Sequence, residues 1–181
     1  MKFGSYQDGN ETEHAYRNAV ERIRYRDGTE CLLVTSEGSL TDLMKELGRC
    51  LPGDWYFLYV LLITHTEDQP GRYQSPPIAC YDGVSALLDQ YKPFLDGDGR
   101  HHLWLGSTTG AGTIVYDNHN RLFCYGPLAA LLERLRSFSA GTISIPTPHT
   151  HHYQAEFAER QRALLREWEW RWFPLQDDDD P

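Results

Sequence analysis

The sequence predicts a single α+β domain, in which helices pack on a mostly antiparallel sheet of about five or six strands. Three short β-type runs follow one another between Arg100 and Pro127, separated only by glycine-rich and asparagine-rich turns. Tight turns join antiparallel neighbours, because parallel neighbours require a longer crossover. Apolar residues at helical spacing occur before and after this region, so we expect helices on either side of it in the chain.

The first half of the chain predicts two helices and two strands. Residues 11–26 have apolar residues at roughly helical spacing and predict a surface helix, and residues 31–35 (CLLVT) predict a strand. Ser39 and Asp42 form a Ser-x-x-Asp helix start in front of an apolar stripe. Residues 55–63 are continuously apolar, which predicts a central strand covered on both faces.

The middle of the chain predicts one helix and three consecutive strands. Asp82 can cap a helix with an apolar stripe, which Pro93 should distort or end. Strands are predicted at 101–107, 113–119 and 121–126.

The last third of the chain predicts two helices and one short strand. Pro127 suits the first turn of a helix that runs to about Phe138. Residues 142–146 (TISIP) predict a strand, and residues 154–172 predict the last helix.

Composition and charge narrow the class of protein. The chain has 181 residues and a net charge of −9, of which Asp177–Asp180 supply four charges. We expect one domain over residues 1–176 and a solvated acidic tail over 177–181. An acidic surface argues against nucleic acid and anionic membranes as partners, since both require basic patches. It suits a basic protein partner, because opposite charges speed association.

The cysteines and the N-terminus point to a cytoplasmic protein. The four cysteines are at least nineteen residues apart, so no CxxC zinc or redox motif is present, and we expect buried free thiols. The N-terminus lacks the apolar core of a signal peptide. The longest apolar run, 55–63, is too short to span a bilayer.

A histidine-rich segment is the one candidate for metal binding. His149, His151 and His152 lie together before the last predicted helix. In an extended segment His-x-His places both rings on one side, where a metal ion could bridge them. His102, or a carboxylate from Glu156 or Glu159, could complete the ligands. The alternative interpretation is a polar loop with incidental histidines, and we expect no cofactor.

Standard catalytic motifs are absent from the sequence. There is no GxSxG elbow, no HExxH and no Walker loop. Cys124 lies near His119 in the chain but within an apolar run, which favours a buried thiol over a nucleophile. The glycines between Gly106 and Gly112 precede a strand rather than a helix, so they predict a turn and not a phosphate cradle.

Three segments, HHLW, VYDNHNRLFCYGPL and PHTHHY, resemble small stand-alone acidic bacterial proteins of the kind that serve as immunity partners of polymorphic toxins. The resemblance extends over most of residues 50–175. It implies an inhibitor that binds one cognate toxin and blocks it. Immunity proteins share no general residue signature, so the resemblance transfers no site residue.

The leading hypothesis is therefore an immunity protein that occludes the active site or substrate surface of a basic toxin domain. Acidic groups would meet the partner and aromatic side chains would anchor it. The candidate contact residues are Asp96, Asp98, Tyr73, Trp104, Tyr116, Asp117, Trp170 and Trp172. The first alternative is a small metal-dependent hydrolase that uses the His149, His151 and His152 cluster, with His102 as a further ligand. The second is a non-enzymatic adaptor or oligomerising protein.

Overall fold

A computed structural model describes residues 2–64, 66–177 and 179, which form one α+β domain. The strands are β1 (Phe3–Gln7), β2 (Asn10–Glu13), β3 (Ala19–Arg24), β4 (Glu30–Thr35), β5 (Trp55–Leu61), β6 (Gly71–Gln74), β7 (His101–Ser107), β8 (Thr113–Tyr116), β9 (Leu122–Tyr125), β10 (Ser139–Ala140), β11 (His149–His151) and β12 (Arg171–Phe173). The helices are α1 (Leu40–Gly48), α2 (Tyr81–Gly97), α3 (Leu128–Arg134) and α4 (Ala158–Leu164), with a 3₁₀ turn at Ala155–Phe157. None of these described helices has the length and apolar character needed to cross a bilayer.

The larger of two sheets has nine strands, in the order β10-β3-β4-β9-β8-β7-β5-β6-β12. Its neighbours are antiparallel, except that β10 pairs parallel with β3. The predicted α+β class and antiparallel pairing are confirmed, but the sheet is larger than the five or six strands expected. The strands β6, β10 and β12 have only two to four residues, too few to produce a recognisable hydrophobic pattern.

The surface helix predicted at 11–26 is wrong, because this segment forms β2 and β3. Strand β3 pairs with β4 over six residues, from Ala19 opposite Thr35 to Arg24 opposite Glu30. Strand β4 is buried along nearly its whole length, so its backbone groups need partners on both sides. This long-range pairing outweighs the local helical spacing.

The last predicted helix, 154–172, is much shorter in the structure. Helix α4 ends at Leu164, and the chain returns as β12 to pair with β6. The Nε1 of Trp170 donates a hydrogen bond to the Leu164 carbonyl (3.0 Å), which satisfies one acceptor left free at the helix end. The strand predicted at 142–146 is also wrong, since this segment is irregular and lies between β10 and β11.

Helix α1 begins as its sequence predicts. The Ser39 hydroxyl accepts a hydrogen bond from the backbone amide of Asp42 (3.0 Å), which is the expected N-cap. The stripe residues Leu40, Met44 and Leu47 are buried in the core. Local capping and apolar spacing agree here with the tertiary packing.

Helix α2 differs from its prediction both at its predicted cap, Asp82, and at Pro93, which was expected to distort or end the helix. Its N-cap is Cys80, and Asp82 lies in the first turn instead. Pro93 remains inside the helix, which continues past it. The neighbouring Tyr91 and Phe94 are buried against the sheet, and this packing compensates for the hydrogen bond that proline cannot make.

The two faces of the large sheet differ in what covers them. The covered face contributes alternate residues of β7, β8 and β9 to a core that includes side chains from all four described helices. These strand residues are Leu103, Leu105, Ile114, Tyr116, Leu122 and Cys124. The intervening residues, including Trp104, Val115 and Phe123, point to the opposite side, which we call the open face.

The smaller sheet has three antiparallel strands in the order β11-β1-β2. Its register places Phe3 opposite His151 and Ser5 opposite His149. Phe3 is completely buried. The histidine-rich segment is thereby held against the N-terminal strand instead of forming a loop.

The C-terminal segment returns to the large sheet at Arg72. Asp179 is 2% exposed and accepts hydrogen bonds from Nε and Nη2 of Arg72 (2.7 and 2.6 Å). The expectation of a solvated acidic tail is therefore wrong for Asp179. Asp178, Asp180 and Pro181 lie outside the described residues.

Candidate functional site

A pocket of about 730 Å³ lies on the open face, over β7, β8 and β9. Its apolar lining consists of Trp104, Val115, Phe123, Tyr125 and Ile145. The four strand residues alternate with core residues, so the pattern that builds the core also presents these side chains on the open face. Volumes of about 300–1,000 Å³ with apolar walls are typical of ligand-binding sites.

Glycines shape one end of this pocket. Gly126 has φ of +117°, a conformation that L side chains rarely adopt. A Cβ at this residue would lie 2.5 Å from the carbonyl oxygen of Ala111. The turn between β7 and β8 and the end of β9 therefore approach each other closely, which extends the turn role expected from the sequence.

A buried ion pair forms the polar end of the pocket. Arg121 donates to Oδ2 of Asp117 through Nε and Nη2 (2.9 and 2.7 Å). The backbone amides of His119 and Arg121 donate to Oδ1 (3.0 and 2.8 Å). Burial acts to raise the pKa of Asp117, but the interactions with His119 and Arg121 outweigh it and hold that pKa at about 2.

A second ion pair involves the other carboxylate that lines the pocket, Asp179. Its partner Arg72 has its guanidinium carbon 5.5 Å from the ring centroid of Trp104. Both carboxylates that line the pocket are thus neutralised by arginines. The pocket combines aromatic rings and arginines, the side chains that dominate binding hot spots.

Three residues of the pocket carry buried polar atoms without a hydrogen bond of normal geometry. They are the Nε2 of His102, the Nε1 of Trp104 and the side-chain amide of Asn118. Each unpaired buried group costs roughly 1–3 kcal/mol of stability. Groups of this kind are uncommon in native proteins. They are not confined to the pocket here, because Tyr59 and His101 on the covered face also carry them.

A second feature lies beside the pocket, where three histidines meet. His119 follows β8, and His149 and His151 lie on β11. Their ring centroids are 4.5 Å (His119 to His151), 5.1 Å (His119 to His149) and 5.5 Å (His149 to His151) apart. One nitrogen from each ring lies within 4.8 Å of the other two. We call these three residues the histidine trio.

The environment of the trio is partly apolar. The ring of Phe3 lies 5.2 to 5.5 Å from all three imidazoles. Burial, together with the neighbouring His119 and His149 rings, lowers the pKa of His151 to about 4. His151 is therefore neutral at pH 7 and presents a nitrogen lone pair.

The predicted metal ligands are only partly brought together. His149 and His151 share one side of an extended strand, as expected from their spacing. The third member is His119 and not His102, which lies on β7 in the pocket. His152 alternates to the other side of its segment and contacts Glu11 (2.8 Å). Glu156 and Glu159 are exposed and lie outside the trio.

Three of the predicted partner contacts are buried and bonded within the protein. Asp98 is completely buried and pairs with Arg100. Tyr116 faces the core, where its hydroxyl donates to Asn120 (3.0 Å), and Asp117 belongs to the ion pair with Arg121. The surfaces of Asp98 and Tyr116 are therefore closed to a partner, whereas Asp117 lines the pocket with its carboxylate held by Arg121.

The other predicted contacts keep some exposed surface. Asp96 is half-buried and accepts hydrogen bonds from the helix start at Ser39 and Thr41. Three further predicted contacts are also half-buried: Tyr73, Trp104 and Trp170. Trp172 is 42% exposed on the edge strand β12.

Sequence reasoning did not identify the pocket residues Arg121, Phe123 and Tyr125, or Arg72, which pairs with the pocket residue Asp179. Phe123 and Tyr125 belong to the predicted strand 121–126, but the sequence does not say which of its faces is open. The arginines carry no local signal, since their carboxylate partner is known only after folding. His119 likewise joins the trio through tertiary packing alone.

In comparisons with known proteins, the chain matches no protein-family model, no curated protein and no solved structure.

Proposed function

We propose that this protein works by binding a protein partner and inhibiting it, as the resemblance to toxin-immunity proteins implies, and that the pocket on the open face is its contact surface. The observation that carries the proposal is the pocket itself, an apolar concavity on the side of the sheet opposite the helices. An open sheet face with aromatic side chains is suited to receive a segment of another protein.

The chemistry of the pocket supports a protein partner. Trp104, Phe123 and Tyr125 offer large apolar area with few side-chain torsions, so their ordering costs little entropy. Arg121 and Arg72 are already held by carboxylates, which fixes their geometry before any partner arrives. Pre-organised aromatic and arginine side chains are the usual anchors of tight interfaces.

The net negative charge of the protein supports a basic partner, but the attraction comes from the surface outside the pocket. Asp117 and Asp179 are neutralised by their arginines, so the net charge of −9 acts from the remaining surface. Long-range attraction of this kind raises the association rate and weakens with added salt. We therefore expect the complex to form more slowly at high ionic strength, with apolar contacts retaining it once formed.

The test is a pull-down with the tagged full-length protein from cells that encode it, at low and high salt. The variant Trp104→Ala removes an anchor from the pocket, and Trp172→Ala removes an exposed tryptophan from the sheet edge at β12. We expect one stoichiometric protein with the wild type and with Trp172→Ala, and its loss with Trp104→Ala. A partner that Trp104→Ala retains and Trp172→Ala loses would move the contact surface to the edge of the sheet.

The hydrolase alternative has less support from the geometry. Asp117, the carboxylate beside His119, accepts two backbone and two guanidinium hydrogen bonds. Its pKa of about 2 makes it a poor general base at neutral pH.

The adaptor alternative makes a separate prediction. If the protein is an oligomerising adaptor, its molecular mass in light scattering should rise with protein concentration.

A further inference from the structure

We propose that His119, His149 and His151 bind one divalent transition-metal ion of the zinc class, with the fourth coordination position open. This inference is independent of the partner-binding function, because the trio lies beside the pocket and only His119 belongs to both. Three imidazoles with one open position are a ligand set that Zn²⁺ accepts in proteins.

The fold brings the three rings together from two distant parts of the chain. Strand β11 places His149 and His151 on one side, because residues two apart share a face of a strand. Strand β1 holds β11 through antiparallel pairing, and His119 reaches the same place from the connection between β8 and β9. The nitrogens lie within 4.8 Å of one another, so small side-chain rotations would bring them onto one ion.

Neighbouring acceptors orient two of the rings. Nδ1 of His149 lies 3.0 Å from the carbonyl oxygen of Pro146, so it carries the proton and leaves Nε2 free. Nδ1 of His119 lies 3.6 Å from Oδ2 of Asp117, which favours the same arrangement. A carbonyl or carboxylate behind a ligating histidine is the usual outer contact of a zinc site, where it fixes the ring and its tautomer.

The third ring, that of His151, has a weaker contact behind it, with the backbone of Asn118. Neither nitrogen of His151 makes a hydrogen bond of normal geometry, although both are buried. A buried imidazole whose hydrogen bonding is incomplete costs stability, and a metal ion would satisfy one nitrogen. Phe3 closes one side of the trio, while the exposed His149 leaves access from solvent.

A bound ion would have a structural consequence. It would join the small sheet, through β11, to the connection that carries Asp117 and the polar end of the pocket. We therefore expect metal binding to raise the melting temperature of the protein, since an ion that binds only the folded state stabilises it.

The test uses the full-length protein without a histidine tag, stripped of metal with a chelator. Zn²⁺ binding is measured by titration calorimetry, and Co²⁺ binding by the visible absorption of the four-coordinate ion. We expect one ion per chain, together with a higher melting temperature. The variants His119→Ala and His149→Ala should lose stoichiometric binding.

His152→Ala is the matched control, because His152 lies next to His151 but contacts Glu11. We expect it to bind as the wild type does. Equal losses in His152→Ala and His149→Ala, with binding retained in His119→Ala, would overturn the proposal in favour of a local surface run of histidines. Absence of stoichiometric binding in the wild type would overturn it outright. If His119→Ala does not fold, the comparison of His149→Ala with His152→Ala decides the test, because His149 is exposed and its loss should not affect folding.

Discussion

The covered and open faces of the large sheet are made by the same strands but differ in what lies against them. On the covered face, the hydroxyl of Tyr116 is bonded to Asn120 within a continuous apolar core. On the open face, Trp104 and His102 line a pocket instead of packing under a helix. The first face is filled by core side chains from the helices, whereas the second leaves aromatic and polar side chains beside a cavity that a partner can enter.

Strand β7 contains this difference in adjacent residues. His101 and Leu105 point to the covered face, and His102 and Trp104 point to the open face. Substitutions along one strand can therefore separate stability from binding without changing the local backbone. This makes β7 the best place to test the comparison.

The largest loss of stability is expected on the helix-covered side, at Arg100. Its Nε and Nη2 donate to the two oxygens of Asp98 (2.6 and 2.8 Å), and both side chains are completely buried. Arg100→Met would leave Asp98 buried and unpaired, at a cost of about 3–5 kcal/mol in denaturant unfolding. Arg136→Met, which breaks an exposed pair with Glu133, is the control and should cost little. Equal small losses in both would mean that the buried pair is not needed.

The next largest expected effect is the difference in stability loss between Leu105→Ala and Trp104→Ala. Leu105 is completely buried in the core, so its truncation should cost about 2–5 kcal/mol of unfolding free energy. Trp104 is larger but half-buried on the open face, and we expect its truncation to cost less. The measurement is urea unfolding of both variants. A greater loss for Trp104→Ala would show that the open face is packed as a second core, and the comparison of the two faces would fail.

The smallest effect is a pH dependence at His101. Burial holds its pKa well below the usual 6.5, and the nearby charge of Lys2 lowers it further. Below about pH 6.5 the unfolded chain binds a proton there that the folded chain does not, so folding stability falls as the pH falls. His101→Phe removes this loss while keeping a ring between Tyr59 and Phe94. We expect the stability of His101→Phe, relative to the wild type, to be greater at about pH 5 than at about pH 8.

The open-face neighbour provides the control for this measurement. Burial also lowers the pKa of His102, but Asp117 opposes the change. His102→Phe should therefore show a weaker dependence on pH. Equal dependence in the two variants would place both histidines in equivalent surroundings and would contradict the distinction between the faces.

Local sequence patterns were sufficient to predict several helices and strands, because the residues of these elements carry the signal themselves. The Ser39 cap and its apolar stripe predict α1, and the continuous apolar run at 55–63 predicts β5. The alternation in β7, β8 and β9 and the turns between them predict antiparallel neighbours at the centre of the sheet. In each case the short-range signal and the tertiary contacts agree.

The candidate sites were predictable only in part. The spacing of His149 and His151 indicates a shared side, because a strand has a period of two. Nothing in the neighbourhood of His119 indicates that it completes the trio. The pocket residues on β9 were within a predicted strand, yet alternation alone does not distinguish the covered face from the open one.

By itself, the sequence determined the α+β class, the central antiparallel strands and the absence of a standard catalytic motif, since composition, turns and local periodicity encode these properties. Tertiary structure alone decided that residues 19–24 and 171–173 become strands, that Asp98 and Asp117 are buried with arginines, and that His119 meets β11. The physical reason is that strand pairing, ion pairs and ligand clusters join residues far apart in the chain, and their energies exceed the local preferences that a sequence displays.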